Sequence, residues 1–135
     1  MSISKIRIAL ETALAGVSGL PAAKAWENVD FEPVIGTPYT RAILSPTSVR
    51  QATLGNPGHD RYDGVFFIDL FYPQGEGPAS SQTVLAALLA SFRRGQIFTH
   101  DGVTVHCLKA EAAQARQAAS WYQTPVTVQW YAFLN

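Results

Sequence analysis

The stretch Gly64 to Pro73, GVFFIDLFYP, constrains the fold more than any other part of the chain. Strand alternation puts Phe66, Ile68, Leu70 and Tyr72 on one face and Val65, Phe67, Asp69 and Phe71 on the other. Both faces are apolar, which places the strand at the centre of a sheet. A small chain with few helices covers only one face of an antiparallel sheet by itself, so the second face calls for a neighbouring subunit. Asp69 interrupts that second face, and a carboxylate there must be hydrated, protonated or paired. It is either an ordinary outward side chain or part of a subunit junction with an arginine such as Arg41 or Arg93.

The rest of the chain yields two helices and several further strands. Ile3, Ile6, Leu10, Ala13, Leu14 and Val17 recur at helical spacing. Ser2 or Ser4 caps this first helix, and Gly16 or Gly19 with Pro21 ends it near residue 18. Pro21, Pro33 and Pro38 leave room for a short edge strand over Ala25 to Asn28 and then loop. Tyr39 to Ser45 reads as a strand closed by Pro46. Residues 46–64, rich in Gly, Asn, Asp and Pro, read as a long loop of the kind that serves as a contact surface. Arg50 and Arg61 lie within it and are expected to matter more to assembly than to folding.

Beyond the central strand, SSQTVLAALLASFRRG carries Val84, Leu85, Leu88 and Phe92 along one stripe, with a serine cap, Arg93 and Arg94 in the last turn and Gly95 beyond. Asp101 and Gly102 suit the tight turn of a hairpin whose second arm aligns Val103, Val105 and Cys107. EAAQARQAASWYQ reads as a short helix or a wide connection. The terminal run sets Val126, Val128 and Trp130 against Thr127, Gln129 and Tyr131. The expected fold is therefore α+β: a single domain over residues 1–135, a mainly antiparallel β-sheet and two principal helices packed on one face.

Charge and composition exclude several function classes. Ten Lys and Arg balance ten Asp and Glu, and only Arg93 and Arg94 are adjacent among the basic residues. No basic stripe marks a nucleic-acid footprint, so direct nucleic-acid recognition is not expected. No apolar run approaches the roughly 20 residues that span a bilayer. The amino terminus lacks an export-type apolar core, and the single Cys107 cannot close an intramolecular disulfide, which suits a reducing cytoplasm. Hydrophobic residues at 47% with only 15% charged residues point to self-association.

The glycine turn YPQGEGPASS imitates a phosphate loop without its chemistry. It has no lysine and no third glycine, Glu76 would repel a phosphate, and Pro78 removes a backbone donor. A joint between strand and helix accounts for it. His59, His100 and His106 lack zinc spacing with Asp60, Asp63, Asp101 or Cys107, Cys107 falls within a strand pattern, and no G-x-S-x-G elbow is present. No catalytic, cofactor or metal residue is assigned. A small hydrolase or metal-dependent enzyme using His59, His106 and the acidic residues is the rival reading from another class.

Taken in order, ISKIRIALETAL, GVFFIDLFYPQGEG, TVLAALLASFRRG, VTVHC and YQTPVTVQWYAF resemble the tail terminator and tail completion family of small phage tail proteins, with its related phage domains. The resemblance covers nearly the whole chain. It implies a virion component that assembles in the host bacterial cytoplasm as a ring, commonly six-fold, on the end of the tail tube. Such a ring would stop tube polymerisation and help join the head. Its partners would be further copies of itself, the major tail tube protein and a head–tail connector protein; another connector or minor tail component is the close alternative. A ring also explains the second apolar face of VFFIDLFY, because head-to-tail contacts that close bury surface a monomer cannot. Arg41, Arg50, Arg61, Asp69 and Arg93 are the candidate assembly contacts.

Overall fold

In a computed structural model that describes residues 3–27, 29–51, 60–75 and 79–134, two helices pack on one side of a sheet. In chain order the elements are α1 (Ile3–Ala15), β1 (Ala23–Trp26), β2 (Tyr39–Gln51), β3 (Asp60–Pro73), α2 (Ala79–Ser91), β4 (Ile97–His100), β5 (Val103–Ala112), β6 (Arg116–Ala118) and β7 (Trp121–Leu134). Among the described residues the sheet has seven strands in the order β1-β2-β3-β7-β5-β4, with β6 also paired to β7. Only β1 with β2 is parallel; the other pairs are antiparallel. The fold is α+β, with β3 at the centre of the main ladders as its two apolar faces require.

Directly opposed residues of an antiparallel pair share a face, so the register defines the core. Leu44, Phe66 and Val128 form one row, and Ala42, Ile68 and Val126 the next. Both rows lie under the helices, whose Ile6, Leu10, Leu14, Val84 and Leu88 close the core. Both helices present buried residues at three- and four-residue intervals because that spacing gathers them on one side. The β4–β5 turn uses Asp101 and Gly102 at φ 48° and 83°, the left-handed pair of a tight hairpin turn. Val103, Val105 and Cys107 are buried as their alternation demands.

Several boundaries differ from the sequence reading. Pro46 does not end β2: the strand runs on to Gln51, with an irregularity between Pro46 and Ser48, and β3 already begins at Asp60. Much of the expected 46–64 loop is therefore a two-stranded extension of the sheet, and residues 52–59 lie outside the described residues. Beyond Ala42, β2 pairs with no strand on its outer side among the described residues, so a proline there breaks no ladder. The first edge strand begins earlier than expected, at Ala23, and ends at Trp26; Asn28 lies outside the described residues. α1 ends at Ala15, not near residue 18, and Ser2 is outside the described residues. Arg93 and Arg94 follow α2 instead of occupying its last turn.

The EAAQARQAASWYQ stretch is neither helix nor wide connection. β5 extends into it and β6 completes it, each pairing with part of β7. Pro125 sits in mid-strand at the junction. Its carbonyl accepts from the Ala113 N–H, so its missing donor faces the short break between β5 and β6, where no ladder bond is lost.

Candidate functional site

The face of the sheet turned away from the helices divides into a covered half and an open half. At the covered end Tyr39 and Phe71, opposed in register, stack with ring centroids 4.5 Å apart, and Trp121 meets Tyr39 edge-on at 5.0 Å. Phe31, in the segment that follows β1, closes over Tyr39 at 5.0 Å. The three strand aromatics are buried as a second, separate core. The chain thus uses its own 29–38 segment to cover one end of this face.

No element covers the other half among the described residues. Ile43 and Phe67 are directly opposed, and they remain 37% and 39% exposed. Phe133 is 42% exposed and Ile97, on the edge strand β4, 55%. The chain neighbours of Phe67, Phe66 and Ile68, point under the helices at 0% exposure, and the one-residue offset turns Phe67 outward, onto the face that calls for a neighbour.

Arg41 and Asp69 border the two halves. They are opposed in register, and the Arg41 Nη2 and Nε atoms donate to Asp69 Oδ2 at 2.8 and 3.2 Å. The Asp69 side chain is 13% exposed, whereas Arg41 is 44% exposed and lies over the Phe71 ring at 5.1 Å. The carboxylate is therefore paired within the subunit, and the guanidinium keeps an open side. Arg93 stands apart, exposed after α2.

A second polar row crosses the far end of the open half. Arg61 donates to both oxygens of Asp63 at 3.0 and 3.1 Å, and Arg50 on β2 stands 3.8 Å from the same carboxylate. Hydrogen bonding to Asp63 pushes the Arg61 guanidinium still higher in pKa. Its Cζ atom lies 4.1 Å from the Tyr131 ring centroid, and Tyr131 stacks on His106 at 4.6 Å and 6°. Four strands thus contribute to one rigid row. Sequence reasoning named Arg50 and Arg61 as loop residues and missed the row, because it exists only once the register pairs Asp63 with Tyr131 and Tyr131 with His106.

The open edge of β2 is blunted. Glu27, just past β1, accepts the Leu44 N–H at 3.0 Å and the Arg7 guanidinium at 2.8 Å. Those two hydrogen bonds, Arg7 first, lower the Glu27 pKa. Two residues on, the same outward position is Pro46, which has no N–H. A strand approaching here finds two successive donors withheld, a standard defence against edge pairing. Association is left to the faces of the molecule.

The residues weighed for chemistry are dispersed. His106 is on the open face and His100 ends β4; His59 lies outside the described residues. Cys107 is buried on the helix side, where burial pushes its thiol up to about 11. Among the described residues no three His, Cys, Asp or Glu side chains come together to hold a metal ion. Gly75 has a φ of 86°, as a turn requires, and Glu76 to Pro78 lie outside the described residues.

The fold recurs in known proteins. The family described as phage tail terminator protein matches residues 5–130. The chain belongs to that family. Tail terminators are structural proteins of phage tails, and membership makes this chain a structural component of a tail, not a member of an enzyme family. One solved structure is 26% identical, covers 100% of this chain and 97% of its own, and superposes with a TM-score of 0.75. A chain from the virion of a native gene transfer agent particle shares the fold at 17% identity and a TM-score of 0.56, with 98% and 97% of the two chains covered. No curated protein matches the chain significantly. Among the described residues no helix is long and apolar enough to cross a membrane.

Proposed function

We propose that this tail terminator works as a ring, six subunits being the expected number, each a single domain. The subunits close head to tail on the end of the tail tube, stop polymerisation of the major tail tube protein and present a surface to the head–tail connector. Assembly takes place in the host cytoplasm. The carrying observation is the open half of the helix-free face, where Ile43 and Phe67 stand side by side at 37% and 39% exposure in a chain of the terminator family. An exposed apolar pair rimmed by Arg41 with Asp69 and by Arg50 and Arg61 with Asp63 has the make-up of an interface: an apolar centre and a polar rim. The blunted β2 edge supports face-to-face contact over strand addition.

Phe67→Glu tests the reading, since a charge at the centre of a buried contact has no partner. The variant is expected to keep its far-UV circular dichroism, to lose ring formation by light scattering with or without tube protein, and to leave overlong tails in electron micrographs. Tails of normal length from this variant would remove the open face from the mechanism. Wild-type protein that binds the connector but leaves tube length unaffected would favour the alternative, a connector or minor tail component.

A further inference from the structure

Charge matching within the subunit singles out two other surfaces. Lys5 pairs with Asp101, Arg7 with Glu11 and Glu27, Arg41 with Asp69, Arg50 and Arg61 with Asp63, and Lys109 with Glu111. Lys24, Asp60 and Arg116 stand singly, with no countercharge among the described residues. Asp30 with Glu32, and Arg93 with Arg94, are the two close-spaced like-charged groups that find no ion pair among the described residues. All four side chains are exposed.

Each group is accompanied by exposed apolar residues and lies at an opposite end of the sheet. Asp30 and Glu32 belong to the segment that follows β1, whose Val34 and Ile35 are 65% and 80% exposed. β1 is the first strand of the sheet order and β4 the last. Arg93 and Arg94 lead into β4: the Gly95 N–H donates to the Cys107 carbonyl at 3.0 Å, and the Cys107 N–H to the Gln96 carbonyl at 2.9 Å, so the two arginines enter at that edge beside the 55% exposed Ile97. An acidic, apolar lobe at one end thus has a basic, apolar counterpart at the other.

We infer that the lobe of one copy, carrying Asp30, Glu32, Val34 and Ile35, docks on the β4 end of the next copy at Arg93, Arg94 and Ile97. The inference rests on the ring reading and deepens it by naming two further surfaces that meet at each junction beside the open face. Opposite ends of one sheet make a heterologous contact, the kind that closes into a ring when the rotation between copies allows. Opposed charges select the partner surface and reject lobe-to-lobe or edge-to-edge encounters, and Val34, Ile35 and Ile97 supply the apolar area.

Charge reversal tests it. One variant carries Asp30→Arg and Glu32→Arg, another Arg93→Glu and Arg94→Glu, and a third all four changes; their melting is compared first, because exposed sites should leave it unchanged. Self-association of each is followed by sedimentation, alone and with tail tube protein. Each two-site variant is expected to need about tenfold more protein to assemble than the wild type. The four-site variant, and an equimolar mixture of the two-site variants, should recover assembly, since every junction then again joins opposite charges. Wild-type rings with both two-site variants assembling normally overturn the inference and leave the ring reading standing. Loss in the two-site variants without recovery in the four-site variant or the mixture also overturns it. A wild type that never self-associates, with or without tube protein, overturns both. Variants that form normal rings but no longer bind tube protein assign these surfaces to the tube and overturn the inference.

Discussion

The two faces of the central sheet are made from the same strands and have opposite fates. On the helix side Phe66, Ile68 and Leu70 are fully buried; on the other, one residue out of step, Phe67 is 39% exposed. Both faces are similarly apolar in sequence, so hydrophobicity does not separate them. What separates them is cover: among the described residues α1 and α2 lie on one side, and on the other the 29–38 segment closes over the Tyr39, Phe71 and Trp121 end. Apolar character that the subunit's own fold does not bury is available for contact with another molecule.

Substitutions along β3 should break the comparison most at the helix side. Phe66→Ala removes a fully buried ring and should cost about 3–5 kcal/mol in denaturant unfolding. A cost near that of a surface change would mean the helices do not cover this face. Gly64→Ala comes next. A Cβ there would overlap Trp130 Cζ2 and stand 2.8 Å from the Ser45 carbonyl oxygen, and such overpacking costs about 1–3 kcal/mol. Unchanged melting would place Trp130 elsewhere.

On the open face the expected balance reverses. Phe67→Ala should change subunit stability by less than about 1 kcal/mol while weakening association in sedimentation; equal losses from Phe66→Ala and Phe67→Ala would erase the difference between the faces. The smallest effect concerns pH. Glu27 has a folded pKa below its ordinary value, so its contribution is present above the unfolded pKa near 4.5 and is lost as pH falls through the folded value. Glu27→Gln should flatten the acid limb of the stability profile slightly, the group being partly exposed and its ion pair screened. A steeper acid limb would contradict the assigned sign.

Much of this arrangement was legible in the residues. The alternation of GVFFIDLFYP identified the central strand and its two faces, and Asp101-Gly102 marked the β4–β5 turn. Prolines misled where context overrides them. Pro46 looked like a terminus because its missing donor was charged against an inner ladder, yet it lies on an unpaired edge; Pro125 is tolerated because its donor position faces a break. Arg50 and Arg61 were found as members of a loop, but their shared carboxylate and the Tyr131 and His106 stack depend on register, which composition and periodicity do not carry. Glu27 escaped notice because its role is to hold a backbone N–H 17 residues away. Asp69 was correctly seen to need an account, and Arg41 opposite it is its partner.

Gly64 has a consequence for how the strands find one another. β3 and β7 pair along 14 residues each, with mostly apolar side chains at every second position on the helix side. Sliding one past the other by two residues would keep every side chain on its proper face, and alternation alone offers little to prevent it. The indole of Trp130 does. It lies over the one place in β3 where no side chain stands, and a two-residue slip would set it against Tyr62 or Phe66 instead. A hydrogen atom in place of a methyl group works here as a key cut, admitting a single alignment of the longest ladder in the molecule.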